Sequence, residues 1–211
     1  MAIDRDTFRA ALVARNGAAR QAKFESAKVA VCGLGGLGSN VAIALARAGV
    51  GHLHLIDFDR VEPSNLNRQQ YAAAQVGLPK AEALRANIAA ANPFCDVVAE
   101  TVHVTESNLA ALLAEDDIVC EAFDRAEAKA TLVSGVLEAF PQKLVVAASG
   151  MSGLASANDI STRRVSRRLY VCGDFSTDSG DGLGLYGARV LVCAAHQATM
   201  ILRLIDGAKE A

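Results

Sequence analysis

"VCGLGGLGSN", residues 31–40, is a glycine-rich turn between an apolar run and an amphipathic one. The preceding "KVAVCG" reads as a short buried strand, and residues 37–48 place Leu37, Val41, Ala44, Leu45 and Ala48 at helical spacing. A glycine turn that leaves a strand and opens a helix suits a phosphate, because the helix N-terminus presents free N–H groups and favours negative charge. Gly33 permits the tight turn, Gly35 and Gly36 let backbone N–H groups approach the anion, and Gly38 completes "GLGGLG". The turn serves a redox dinucleotide and ATP equally well.

Working outward, "HLHLIDFD" alternates and then turns, giving a second strand, and "PKAEALRANIAAAN" opens with Pro79 and reads as a helix. "DVVAETVHV" is a third strand, residues 106–114 a short helix, "DIVCEAF" a fourth strand, residues 125–139 a helix, and "KLVVAASG" a fifth strand. Residues 6–24, with Phe8, Leu12 and Phe24, predict a leading helix. This alternation predicts a Rossmann-like α/β fold, a mostly parallel sheet covered by helices on both faces. After Gly150 the pattern changes. "NDISTRR" and "RLYVCGD" read as a hairpin or edge extension, "FSTDSGDGLGLYG" as a loop, and residues 187–206 as a last helix. We expect a single domain over 1–211: a helical segment at 1–27, a nucleotide-binding core at 28–150, and a strand and helix extension at 151–211.

The totals agree. A chain of 211 residues, 52% apolar, can bury the core of one α/β domain and is not wholly disordered. A net charge of -2 offers no electrostatic case for nucleic acid or membrane. The N-terminal "MAIDRDTFRA" lacks the apolar region of a secretory signal. "VLVCAAHQATMILRLI", interrupted by His196, Gln197 and Arg203, reads as a buried helix, too short and too polar for a bilayer. A cytoplasmic protein is expected. The five cysteines form no CxxC pair, so neither a disulfide framework nor a zinc site is expected; Cys32, Cys120 and Cys193 read as small buried hydrophobes.

Chemistry enters after the second strand. Asp57 ends it, where a carboxylate can accept from ribose hydroxyls, and "DFDRVEPSNLNRQQY" then supplies Asn65, Arg68 and Gln69, with Lys80 at the next helix start. A dehydrogenase leaves that space open for nicotinamide. A nucleotidyl transferase needs cations there to neutralise a triphosphate and the leaving pyrophosphate. Asp124, past the fourth strand, is placed to hold Mg²⁺. It can equally cap the following helix, with Glu127 three residues on.

These pieces carry a resemblance. "GLGGLGSNVAIALARAGVG", "DFDRVEPSNLNRQ", "GLPKAEAL" and "EAFDRAE" resemble, in order and spacing, the ThiF/MoeB/ubiquitin-activating-enzyme superfamily. "VVAASGMSGLASANDI" and "GDF" extend the resemblance toward its short ThiF branch, associated with thiamine biosynthesis. The resemblance implies ATP-dependent adenylation of the C-terminal glycine of a ThiS-like ubiquitin-fold sulfur carrier. Gly36 would lie on the phosphates and Asp57 on the ribose. Asn65, Arg68, Gln69 and Lys80 would lie on the triphosphate, and Asp124 on Mg²⁺. It also implies a homodimer in which an N-terminal arginine is donated across the interface. Among Arg5, Arg9, Arg15 and Arg20, Arg9 matches best by position and Arg15 is its rival.

Two departures stand out. The zinc-binding CxxC pairs of larger relatives are absent, and the loop before the last helix has no cysteine. Cys172 precedes that loop as a candidate thiol, and sulfur can otherwise come directly from a donor protein. "RRVSRR", Arg163 to Arg168, ranks first as a hairpin tip, then as a contact for an acidic carrier, and last as a nucleic-acid patch. Rival functions are adenylation of the molybdopterin-synthase carrier and dehydration of a modified tRNA base. An NAD(P) oxidoreductase is disfavoured by Arg68 and Lys80. A non-catalytic scaffold is disfavoured by the full set Asp57, Arg68, Lys80 and Asp124.

Overall fold

The apolar runs become the strands of one twisted sheet, seen in a computed structural model that describes residues 3–178, 180 and 182–211. The strands are β1 (Lys28–Cys32), β2 (His52–Ile56), β3 (Asp96–Glu100), β4 (Ile118–Glu121), β5 (Leu144–Ala148), β6 (Ser161–Arg164) and β7 (Leu169–Gly173). Their order is β3-β2-β1-β4-β5-β7-β6. All pairings are parallel except β6 against β7. The chain leaves β1 toward β2 on one side and later returns to β4 on the other, so the strand order reverses between β1 and β4. Crevices outside the carboxyl ends at such a point take ligands.

Alternate residues feed two cores. Val29, Val31, Leu53, Leu55, Cys120, Val146 and Cys172 are buried in the larger core, with residues of α3 (Gly36–Ala48), α4 (Lys80–Ala91) and α7 (Gly187–Asp206). Ala30, Cys32, Ile56, Val119 and Val145 are buried in the other, with residues of α5 (Leu109–Leu112) and α6 (Ala126–Ala139). The doubly covered sheet and the terminal hairpin agree with the sequence reading.

Several local expectations are corrected. The leading helix is two, α1 (Arg5–Asn16) and α2 (Ala18–Ser26), broken at Gly17, whose φ of +80° only glycine adopts readily. The third strand stops at Glu100, and α5 has only four residues. Asp124 does not cap α6: Arg125 occupies the cap position and no side chain caps the helix, so Asp124 lies one residue too early. The last helix, at 20 residues, is long and apolar enough to cross a membrane by length and composition. The expectation that it is too short and too polar for a bilayer therefore fails. The reading as a buried helix holds, since Val190, Cys193, Ala194, Ala198 and Ile201 are buried in the core and α7 packs along α3.

The basic run forms the β6–β7 hairpin tip, and three of its four arginines have structural partners. Arg168 donates to Leu137 O (2.7 Å) and Phe140 O (2.6 Å) at the end of α6. Arg164 pairs with Glu210 at 3.2 Å, and Arg163 lies 3.8 Å over the Phe175 ring.

Candidate functional site

A cleft of about 660 Å³ opens at the carboxyl ends of β1, β2, β4 and β5. It is lined by Gly33, Gly35, Gly36, Asp57, Asn65, Arg68, Gln69, Lys80 and Asp124, residues spread over 92 positions of the chain. Gly33 turns the chain with φ +89°, and a Cβ there would meet Ala122 O at 2.7 Å. Gly38 lies deeper and does not line the cleft; its hydrogen side faces Gly33 O, which a Cβ would approach to 1.8 Å. Gly38 therefore serves close helix–strand packing. Gly36 has a packing reason besides its place in the cleft, since a Cβ would meet Val190 Cγ1 of α7 at 2.9 Å. Helix α3 starts at Gly36 with no side-chain cap. Its first-turn N–H groups are the ready-made anion donors of an uncapped helix.

The glycine turn is held from below by Asp57. Its Oδ2 accepts the Leu34 N–H at 2.6 Å and its Oδ1 accepts the Asp59 N–H at 2.8 Å. Burial pushes this carboxyl above its ordinary value; Lys80 and the two N–H groups pull the other way. Lys80, itself buried, places Nζ 2.8 Å from Asp59 Oδ2. Tyr71 Oη donates to Leu34 O at 2.7 Å, a further tie across the turn.

Asn40 joins the turn to the segment that carries the cations. Its Nδ2 donates to Gly36 O (2.6 Å) and Arg68 O (3.1 Å), and its Oδ1 accepts from Gln70 Nε2 (2.6 Å). Asn65 Oδ1 accepts the Glu62 N–H at 2.9 Å, closing a 3₁₀ turn at Pro63–Asn65. Arg68 is steadied by Ser64 O (3.0 Å) and Asn67 Oδ1 (2.9 Å). Gln69 lies beside Gly35, and its buried Oε1 has no partner among the described residues. An orphaned amide atom in a polar cleft fits a site that completes itself with a ligand.

Across the cleft, Asp124 is exposed and has no hydrogen bond or ion pair among the described residues. No group of three His, Cys, Asp or Glu side chains gathers there among the described residues. A divalent ion would rest on Asp124, phosphate oxygens and water, the usual habit of Mg²⁺.

Sequence reasoning missed the floor of this wall. Glu121, the last residue of β4 and 1% exposed, receives Lys129 Nζ at 3.0 Å on each oxygen. Lys129 also donates to Ala148 O (3.1 Å), and the Phe123 N–H donates to Glu121 Oε1 (2.8 Å). Burial raises Glu121 and Lys129 opposes that rise. The pair ties β4, β5 and α6 together just beneath the Asp124 loop. The available signal was a charge inside an otherwise apolar strand. Phe58, half exposed, tilts against His103 (4.9 Å) and adds an aromatic surface next to Asp57.

Two candidates stand apart from the cleft. Arg9 pairs with Glu25 at 3.0 Å, and neither it nor Arg5, Arg15 or Arg20 lines the cleft of its own chain. Cys172 is fully buried and its thiol is pushed up to about 11 by that burial, which removes the electropositive, accessible setting a reactive thiolate needs. In the loop before α7, Ser179 and Asp181 lie outside the described residues.

An open α/β sheet with an uncapped helix at its switch point, a carboxylate behind the turn and cations beyond it defines a nucleotide-binding domain of the Rossmann-like class. Residues 8–211 match the ThiF family, and the chain belongs to it. It is 37% identical over 134 residues to the molybdopterin-synthase adenylyltransferase of Escherichia coli K12, covering 63% of this chain and 54% of the relative. It is 47% identical over 84 residues to the tRNA threonylcarbamoyladenosine dehydratase of Bacillus subtilis 168, covering 39% of this chain and 33% of the relative. The chain thus spans about half the length, or less, of these relatives. Its fold matches that of E. coli tRNA N6-threonylcarbamoyladenosine dehydratase in complex with ATP. The TM-score is 0.85 at 23% identity, over 98% of this chain and 97% of that one.

Proposed function

We propose that the protein adenylates the C-terminal glycine of a ThiS-like ubiquitin-fold sulfur carrier in thiamine thiazole formation. The carrying observation is the arrangement of the cleft: Arg68 and Lys80 lie beyond an uncapped helix N-terminus, and Asp124, without a partner among the described residues, lines the same cleft. An adenylyltransferase among the relatives supports the reaction class. The carrier's carboxylate, already ionised near neutral pH, attacks the α-phosphorus of ATP. The P–O bond to the β-phosphate breaks, pyrophosphate leaves with the electron pair, and an acyl adenylate remains.

No general base is required. Arg68 and Lys80 neutralise the departing charge, the α3 N-terminus and Asn65 and Gln69 hold the phosphates, and Asp57 accepts from the ribose. Mg²⁺, held on Asp124, would add charge neutralisation on the phosphates. Arg9, paired outside its own cleft, would reach ATP only from the second copy of a homodimer, and a separate donor protein would deliver sulfur to the adenylate.

ATP–pyrophosphate exchange with Mg²⁺ and carriers ending in Gly-Gly tests this reading. Exchange that appears only with a ThiS-type carrier is the expected result. Exchange with none of the carriers, together with tight NAD binding, overturns it. A second acceptor, a modified tRNA base, is favoured by the 47% identity to the B. subtilis dehydratase. Exchange driven by tRNA and by no carrier would select that reading.

A further inference from the structure

The two sides of the cleft are built differently. The β1–β2 side carries the phosphate-facing groups. The β5–β7 side is a wall of mostly small residues, Ser149, Gly150, Ser152 and Thr177, with Met151 among them, and nothing in the nucleotide reading uses it. Behind that wall lies a buried ion pair. Asp174 and Arg189 are 2% and 4% exposed and meet at 2.8 Å.

Each partner organises one strip of backbone. Arg189, in the first turn of α7, donates through Nη1 to Ala155 O (2.5 Å) and Ser156 O (2.6 Å). Asp174, just past β7, accepts the N–H groups of Ser176 and Thr177 (2.9 Å each) and the Thr177 hydroxyl (2.8 Å). Thr177 Oγ1 then accepts the Ser152 N–H at 3.0 Å. Backbone bonds from Asp174 N to Gly150 O (3.0 Å) and from Phe175 N to Ser149 O (3.1 Å) complete the seam.

The seam is costly. Phe175 is held at φ +61° without being a glycine, and Arg189 Nε is buried with no partner among the described residues. A buried ion pair is often no more stabilising than apolar side chains of the same volume. The gain here is position.

We propose that the Asp174–Arg189 pair is a positioning device for the acceptor. It fixes the wall formed by residues 149–152 and Thr177, and so sets where an extended C-terminal tail lies relative to the phosphate cradle. The inference rests on the adenylation reading and adds the residues that place its second substrate. Neither side chain touches the reacting atoms.

The test uses Asp174→Asn, which weakens the pair, and Thr177→Val, a near-isosteric change that removes the link to Ser152. ATP affinity is measured by calorimetry without carrier, and kcat and KM for a ThiS-type carrier by pyrophosphate exchange. The expected result is a carrier kcat/KM lowered roughly 10- to 100-fold in Asp174→Asn, the scale of a misplaced reactant. A smaller loss of the same kind is expected in Thr177→Val, with ATP Kd within about twofold of wild type in both. ATP affinity that falls in step with carrier kcat/KM, or exchange unchanged in both variants, overturns the proposal. If the wild-type protein exchanges with no carrier, the adenylation reading fails, and hydrogen exchange then judges the clamp. Asp174→Asn should deprotect residues 149–157 and leave residues 33–40 unchanged; uniform deprotection, or none, overturns the clamp.

Discussion

Asp57→Asn separates the scaffold role of this carboxylate from its ligand role. In the wild type one oxygen takes the Leu34 N–H and the other the Asp59 N–H. An asparagine offers one acceptor oxygen and one NH₂ group, so one of these N–H groups must face a donor. If the NH₂ faces Leu34, which is fully buried, water cannot rescue that N–H; if it faces the exposed Asp59, the loss lies at the low end of the range below. A buried donor left unsatisfied costs about 1–3 kcal/mol, and the remaining bond loses its charge assistance. Relief of burying a carboxylate, whose pKa that burial raises, offsets part of this. A net loss of about 2 kcal/mol follows. With a urea dependence of roughly 2–3 kcal/mol per M, the unfolding midpoint should fall by roughly 0.7–1 M. Because Leu34 begins the glycine turn, ATP affinity should fall about tenfold or more, the equivalent of ~1.4 kcal/mol. Urea unfolding followed by circular dichroism, and calorimetry with ATP, supply both numbers. An unchanged midpoint with unchanged ATP affinity would refute the claim that Asp57 holds the turn.

Other perturbations test other parts of the cleft. Asp124→Ala should shift stability by less than about 0.5 kcal/mol, since the side chain is exposed and has no partner among the described residues. It should also lower pyrophosphate exchange roughly 10²- to 10³-fold; surviving exchange removes Asp124 from the reaction. Cys172→Ala should leave exchange unchanged, and native Cys172 should resist thiol reagents until the chain unfolds, as a buried thiol raised to about 11 requires. Rapid labelling of native Cys172 would contradict this. Acid should act through Asp174. Burial alone would raise its carboxyl, but the Ser176 and Thr177 N–H groups, the Thr177 hydroxyl and Arg189 outweigh that and hold it well below the ordinary 3.8. A depressed folded-state value stabilises above the unfolded pKa and is lost as pH falls toward the folded one. The stability gap between wild type and Asp174→Asn should hold steady down to about pH 5 and shrink below about pH 4; a gap that widens on acidification has the wrong sign.

What the sequence made legible was local. "KVAVCG", "HLHLIDFD" and "KLVVAASG" announce strands by apolar runs, and the glycine turn with the train from Asp57 to Lys80, residues 31–80, announces a nucleotide site within a window of about fifty residues. Gly17 is less legible, because an isolated glycine inside a helical pattern is tolerated at a modest cost and does not by itself mark a break. Glu121 read as part of a buried strand, and its partner Lys129 lies on the next helix, so the ion pair exists only once β4 and α6 are packed. Asp174 and Arg189 are farther apart still, at opposite ends of the loop before α7. Asn40 closes the opening motif, but its bonds to Arg68 and Gln70 depend on the path of a segment about thirty residues away. The Asp124 cap misread a one-residue offset, which pattern alone does not resolve.

The central claim is the transfer of AMP to a carrier's C-terminal carboxylate. The mass spectrum of a ThiS-type carrier after incubation with the protein, ATP and Mg²⁺ reads it directly. The account predicts a gain of one AMP moiety, mapped to the terminal glycine and absent when ATP is omitted. An unmodified carrier with ATP bound to the protein would contradict it.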